Sequence, residues 1–492
     1  MWPYVGALVG GLLMWAAFPP VGLGVLAFVA PAPLLWALRQ VEHGGTAIRL
    51  GTVFGFVWFG GMLWWMRIVG TVAWLPLVLW MTVLAAGYAF AVWTAGQGAI
   101  WRWYLVAVGG WALWEFLRAR APFNGFPWGT LGYAAADTGP TIGAAQWIGA
   151  TGWSVLAVAV AAGLVIVVEN ARNWRYLVDP VVIVMLLTIA GGLLAADSDG
   201  ELIRVAVIQG NSPCPRVHCQ NENQRIYESH LELTRTLRPD TVDLVVWAEN
   251  ATGTPFEPVG NEAVREELAL EAVRLDAHLL ISGTRSIGTD EFENANVLFT
   301  PDGLIAGEYL KRHPVPFGEY VPLRPLFGFI PALDAVPRDM IRGTEPVVFR
   351  IKGGSLGSVI SFEGAFSRHV RSQAAAGSEL IVVTTNEGSF GSGAASDQLI
   401  AMATVNAAEV GMDLVHAAIT GKSAIVLADG TVQGETGLFT AEILRGNVRF
   451  RTAGPTLFTR VGDWLQYLAI IAGAVAIAWP SEARRSRSGS PA

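Results

Sequence analysis

Two hydrophobic rhythms run along this chain, and they change over near residue 200. Before that point, apolar runs approach the roughly 20 residues that a helix needs to cross a bilayer. They fall at about 3–18, 21–38, 51–66, 71–94, 102–117, 147–168 and 179–196. Pro19-Pro20 separates the first two, and the first lacks a basic leader, so the start reads as a helical hairpin and not as a cleaved signal peptide. A last apolar stretch at about 460–480 precedes a tail with Arg484, Arg485 and Arg487. The expectation is eight spans: a membrane domain over 1–200, a globular domain over 201–455, and a final span with a basic tail over 456–492.

Between 201 and 455 the apolar runs shorten and turn residues divide them. Ile203–Ile208, Val242–Trp247, His278–Ser282, Ala295–Thr300, Leu304–Tyr309, Leu356–Ser361, Leu380–Thr385, Leu414–Ile419 and Ser423–Leu427 read as strands. Pro301-Asp302-Gly303 is a hairpin turn. Helical spacing covers 261–275, about 364–376 and 395–411. Alternating strands and helices with hairpins predict an α/β or α+β layered domain.

Composition agrees with a membrane protein: 52% of residues are hydrophobic, 15% are charged, and there are 20 Trp. Trp at this frequency is more often an interface anchor than a substrate contact. A net charge of −7 and the lack of a basic, aromatic-rich patch argue against nucleic acid. No phosphate-cradling glycine loop is present, and the cysteine spacing matches no zinc pattern, so neither a cofactor nor a metal is expected. Cys214 and Cys219 are close enough to pair in an oxidising compartment or to stay reduced elsewhere. With eight spans, Arg39, Arg49, Arg102, Arg172, Arg175 and the tail arginines share one side, against Arg67, Arg118 and Arg120. The positive-inside rule then puts both termini in the cytoplasm and residues 201–455 outside it. Glu115, at a span edge, is expected to pair with Arg118 or to sit at the interface.

Candidate chemistry lies in three pieces. Val245-Val-Trp-Ala-Glu249 ends a strand in a carboxylate. Tyr309-Leu-Lys311-Arg-His313-Pro-Val-Pro-Phe-Gly-Glu319-Tyr-Val-Pro322 places one of only three lysines before a Pro/Gly turn. Ser358-Val-Ile-Ser361-Phe-Glu363 is another strand ending in a small polar residue and a carboxylate. Strand ends are where α/β folds collect catalytic groups. A carboxylate base, an ammonium and a nucleophile together suit acyl transfer. Taken singly, Glu249 is as well explained as a strand-end cap, Glu319 as a turn residue, and Lys311 as a surface charge.

In this order the three pieces resemble the carbon-nitrogen hydrolase (nitrilase) superfamily, whose triad is Glu, Lys and Cys. With the membrane half included, nearly the whole chain resembles bacterial apolipoprotein N-acyltransferases. Phe18-Pro-Pro-Val-Gly22, Glu115-Phe-Leu-Arg118, Gly125-Phe-Pro-Trp-Gly129, Leu131-Gly-Tyr133, Gln146-Trp147, Gly152-Trp-Ser154, Val207-Ile-Gln-Gly-Asn211 and Val315–Pro322 carry that resemblance. It implies an αββα-type extracytoplasmic domain between the seventh and eighth spans of a cell-membrane protein. It also implies that an acyl chain passes from phospholipid to the enzyme and then to the N-terminal amine of a diacylglyceryl-cysteine apolipoprotein. By position, Glu249 matches the general base, Lys311 the oxyanion-stabilising lysine, and Glu319 and Glu363 supporting carboxylates. A polyprenol-phosphate mannose synthase is a further partner that some relatives suggest.

The resemblance breaks at the nucleophile. The family's Ile-Cys-Tyr-Glu is here Ile360-Ser361-Phe362-Glu363. The family's Asn-Asp-Ala-Trp-Phe-Gly is Asn386-Glu-Gly-Ser389-Phe-Gly391, and its Ala-Thr-Asn-Thr-Gly is Ala417-Ala-Ile-Thr-Gly421. A segment with His218 replaces an expected aromatic. A thiol ionises near pH 8.5 and an alcohol is several units weaker, at about 1.4 kcal/mol per unit. Three readings follow: an acyltransferase using Ser361, a catalytically inactive paralogue that binds lipid or lipoprotein beside an active partner, and a membrane-tethered amidase or esterase. His313 is the local candidate base for a serine mechanism. Asp397, His416 and Lys422 have no assigned role.

Overall fold

The computed structural model describes residues 1–479, except Gln97, Thr138 and 216–218, and for Ala332 it describes the backbone only. The tail arginines and His218 therefore lie outside the described residues. The chain divides into two compact units. One holds Met1–Arg67, Ala73–Leu193 and the chain from Asp463; the other holds Ile68–Val72 and Leu194–Gly462.

The first unit is helical. Three helical segments, Thr71–Ala95, Ile142–Glu169 and Ala171–Leu193, are long and apolar enough to cross a membrane. Trp2–Ala17, Gly24–Arg39 and Trp464–Ala478 are apolar but shorter. Ile100–Arg118 contains Arg102, Glu115 and Arg118. Of the eight expected spans, three are of full length among the described residues. Small residues let these helices touch: a Cβ on Gly109 would lie 2.3 Å from the Ala469 carbonyl. The expected Glu115–Arg118 ion pair is not present within 4 Å among the described residues. Instead Glu115 Oε1 accepts from Trp111 Nε1 at 3.0 Å and from the Leu131 N–H at 2.8 Å, while Arg118 donates to the Trp128 carbonyl. Both charges satisfy the non-helical turn before helix Leu131–Ala136, whose polar backbone is buried.

The second unit is a four-layer αββα stack. Its first sheet runs, in spatial order, Glu442–Arg449, Leu202–Gln209, Leu244–Trp247, His278–Ile287, Glu291–Phe299 and Ile305–Leu310. Its second runs Val432–Glu435, Ala424–Val426, Leu414–Ala418, Leu380–Thr385, Gly354–Ile360 and Val348–Ile351. The period-two rhythm explains the stacking. Val205 and Val207, Leu244 and Val246, and Leu380 and Val382 all enter one core shared by the two sheets. Their neighbours Ala206, Ile208, Val245 and Trp247 enter a second core with residues of helices Glu222–Arg235 and Glu262–Leu275. Ile381 and Val383 enter a third with helices Ser367–Ala375 and Ala395–Val410. Strands buried on both faces must be apolar throughout, and each such side chain contributes about 1.5–3 kcal/mol.

Leu202–Gln209, Leu244–Trp247 and His278–Ile287 are parallel, as are Gly354–Ile360, Leu380–Thr385 and Leu414–Ala418. Glu249 follows Leu244–Trp247 and Ser361 follows Gly354–Ile360 at their carboxyl ends, while Lys311 follows Ile305–Leu310. The single helix expected over 364–376 is broken: a 3-10 turn covers Ser361–Ala365, Phe366 is extended, and the helix begins at Ser367. Glu363 explains the break, because its carboxylate turns back onto the Ile360 N–H at 2.8 Å.

Candidate active site

Lys311 is the centre of the site. It follows strand Ile305–Leu310 and is buried, and an isolated ammonium there would be costly. Two carboxylates compensate it. Lys311 Nζ donates to Glu249 Oε1 at 3.1 Å and to Glu319 Oε1 at 2.6 Å. Burial pushes the ammonium pKa down, but the attraction of Glu249 and Glu319 outweighs it, so the net shift is upward and Lys311 stays charged. These bonds use two of the three ammonium N–H donors.

Glu249 comes from the end of strand Leu244–Trp247. Its Oε1 also accepts from Asn294 Nδ2 at 2.8 Å, and among the described residues its Oε2 accepts nothing. One oxygen is thus fixed by two donors and the other by none. Glu319 is held in the Pro/Gly turn because its Oε2 accepts from the Val315 N–H at 2.7 Å.

Glu363 is fully buried and ties two strand ends together. Its Oε1 accepts from the Arg312 and His313 N–H groups at 2.7 and 3.0 Å. Its Oε2 accepts from Tyr309 Oη at 2.7 Å as well as from Ile360. Burial raises its pKa, partly offset by these donors. The carboxylate therefore fixes the backbone after Lys311 and before Ser361 in one geometry.

Ser361 stands at the carboxyl end of strand Gly354–Ile360 with φ 53°, a left-handed value unusual for a side-chain-bearing residue. Asn211, Asn250 and Glu387, after three other parallel strands, are also left-handed, at 60° each. These four residues follow parallel strands of the two sheets, two in each. Among the described residues the Ser361 hydroxyl has no hydrogen bond to Glu249, Lys311 or His313. His313 is buried between Phe362 and Phe366, and its Nδ1 lies 3.3 Å from His369 Nε2. Burial, then Arg368, Lys311 and Arg342, push its pKa down to about 3. Among the described residues His313 makes no hydrogen bond to Ser361 and packs against Phe362, Phe366 and His369 instead, so the serine–histidine arrangement does not form here.

Cys214 and Cys219 form a disulfide, and no free cysteine remains among the described residues. Asn294 has no role legible in the sequence, and Tyr309, which heads the Lys311 motif, has none there beyond that place. Two asparagines inside the otherwise apolar Asn294-Ala-Asn296-Val-Leu-Phe run were the available signal.

Two family models match this chain: the apolipoprotein N-acyltransferase N-terminal domain over residues 10–163 and carbon-nitrogen hydrolase over 204–456. The apolipoprotein N-acyltransferase of Geobacter metallireducens is 31% identical, across 98% of this chain and 96% of its own. This chain belongs to the apolipoprotein N-acyltransferase family. That of Gloeobacter violaceus is 30% identical, across 95% of this chain and 94% of its own. Among solved structures, the NitN amidase from Neterenkonia sp. AN1 is 19% identical and covers 58% of this chain and 99% of that one, with a TM-score of 0.38. Family membership spans both units, so the helical half is as much a family feature as the αββα domain.

Proposed function

We propose that this chain is a membrane N-acyltransferase that moves an acyl group from phospholipid to the N-terminal amine of a diacylated apolipoprotein through an ester on Ser361. The observation that carries this reading is the cluster of buried Lys311 and Glu249 with the half-buried Glu319. Two carboxylates around one ammonium leave a net charge of −1, which suits proton uptake followed by oxyanion stabilisation.

Ser361 Oγ attacks the acyl carbonyl carbon while its proton passes to Glu249 Oε2. Lys311 stabilises the tetrahedral oxyanion. Collapse breaks the ester bond to glycerol, the glycerol oxygen takes the proton from Glu249, and a lysophospholipid leaves. The apolipoprotein amine then attacks the Ser361 ester and gives a proton to Glu249. The second collapse forms the amide and returns that proton to Ser361 Oγ. Glu319 and Glu363 position Lys311 and the strand end.

In this reading both termini are cytoplasmic, eight segments cross the bilayer, and residues 201–455 are extracytoplasmic. The Cys214–Cys219 disulfide supports an oxidising side for that domain. A paralogous partner and a polyprenol-phosphate mannose synthase gain no support from the fold or from the relatives' names and are not carried forward.

A second reading, a non-catalytic lipid-binding paralogue, is favoured by one observation: a hydroxyl, not a thiol, stands at position 361. Intact-mass measurement after incubation with phospholipid separates the two. Gain of one acyl mass that Ser361→Ala abolishes supports the acyltransferase. Acylation of Ser361→Cys alone supports the non-catalytic paralogue. No acylation of either form sinks the proposed reaction.

A further inference from the structure

Glu387 lies in the turn after strand Leu380–Thr385, two residues beyond the strand end. Thr384 pairs with Ile360, so the turn begins beside Ser361. The Glu387 carboxylate is buried and has two partners from other elements. His416 Nε2, on the next strand, donates to Oε1 at 3.0 Å, and Ser396 Oγ, in the first turn of helix Ala395–Val410, donates to Oε2. The fit is close: a Cβ on Gly421 would lie 2.1 Å from Glu387 Oε2, so only glycine fits there. Lys422, next in sequence, bonds Asp397 and Glu435 at 2.7 Å each, which pins the same helix turn.

This arrangement is a poor way to gain stability. A buried carboxylate–imidazole pair returns little over apolar packing, and a left-handed backbone costs about 1–2 kcal/mol. What it does secure is the shape of Asn386–Gly391. Asn386 Oδ1 accepts from the Gly388 N–H at 2.9 Å, and the Glu387 carbonyl accepts from the Phe390 N–H at 3.0 Å.

We propose that Glu387, held by His416 and Ser396, is a positioning residue for acyl transfer at Ser361, fixing the Asn386–Gly391 turn as a wall for the incoming acyl chain. This rests on the acyltransferase reading above. Glu387 touches neither substrate nor the reacting atoms in this role; it acts through the turn.

The test uses the full chain with Ser361→Cys, reconstituted in phospholipid nanodiscs, with two readouts on one thiol. Adding Glu387→Ala slows acylation by phospholipid about tenfold or more, because the wall moves. Alkylation of the same thiol by iodoacetamide stays within about twofold, because Glu249 and Lys311 are untouched. Glu387→Gln restores acylation to within about threefold, since its amide accepts from His416 and donates to Ser396. If Glu387→Ala does not fold, Ser396→Ala decides, with an expected loss of about threefold at unchanged alkylation. The inference is overturned if acylation is unaffected, or if acylation and alkylation change together as general loosening would make them. If the parent protein is alkylated but takes no acyl group, the acyltransferase reading itself fails and takes this inference with it.

Discussion

The charged cluster around Lys311 and the strand end that carries Ser361 are built to different standards. Glu249, Lys311 and Glu319 are knit by hydrogen bonds of 2.6–3.1 Å, with Asn294 and the Val315 N–H completing the set. Ser361 follows Ile360, the last paired residue of its strand, whose N–H donates to Glu363, and among the described residues the Ser361 hydroxyl has no hydrogen bond to that cluster. Charge explains the contrast. Buried ions must be paired to persist, so the ammonium forces order on every group around it. A neutral hydroxyl at a strand end imposes no such demand, so position 361 accepts serine without disturbing the charged cluster.

That contrast can be broken at either half. The largest effect is expected at the nucleophile: Ser361→Ala abolishes acyl-enzyme formation, and Ser361→Cys raises its rate by about 100-fold or more, because a thiol ionises far more readily. Intact-mass time courses measure both. Next comes the ammonium. Lys311→Met leaves the buried Glu249 and the half-buried Glu319 without their cation, so about 3 kcal/mol of stability is lost along with activity. Denaturant unfolding separates that loss from chemistry, and an active, stable Lys311→Met protein would refute the charged-cluster account.

A smaller effect lies outside the site and is set by pH. His230 is fully buried; its Nδ1–H donates to the Ile226 carbonyl at 2.8 Å, and its Nε2 accepts from the Gly210 N–H at 3.2 Å. Burial pushes its pKa down to about 4, only partly offset by Ile226. Below an unfolded value of about 6.5 the unfolded chain binds a proton that the folded chain refuses. Its contribution is therefore complete above about pH 6.5 and falls by about 3 kcal/mol by pH 4. His230→Gln should flatten this part of the stability–pH curve; an unchanged slope would assign the acid sensitivity elsewhere. The smallest effect is Asn294→Ala, expected to cost about 1–2 kcal/mol and to leave Glu249 with the lysine as its side-chain donor. A change in the pH profile of acylation without loss of fold would sharpen the role of Asn294 in setting that base.

Much of the site was legible because its residues end short, strongly patterned strands. Strands around 203–208, 380–385 and 414–419 stand close to where alternation places them, and Glu249, Lys311 and Glu319 meet as the order of motifs implies. Strand Glu442–Arg449 was not legible: its largely polar run shows no period-two signal, yet it pairs with Leu202–Gln209 along its length. Asn294, Tyr309 and the Glu387–His416 pair were equally hidden, since each partner lies far away in sequence.

The sequence alone determined where the chain changes from long apolar runs to alternating strands, and which residues carry chemistry, because periodicity and residue type are local properties. Tertiary structure decided who meets whom. It paired Cys214 with Cys219, turned Glu115 and Arg118 onto a buried backbone, left His313 without a catalytic partner, and set Glu387 between a strand and a helix. These outcomes depend on burial and on distances of about 3 Å between residues up to tens of positions apart, and one chain's letters do not encode such distances one by one.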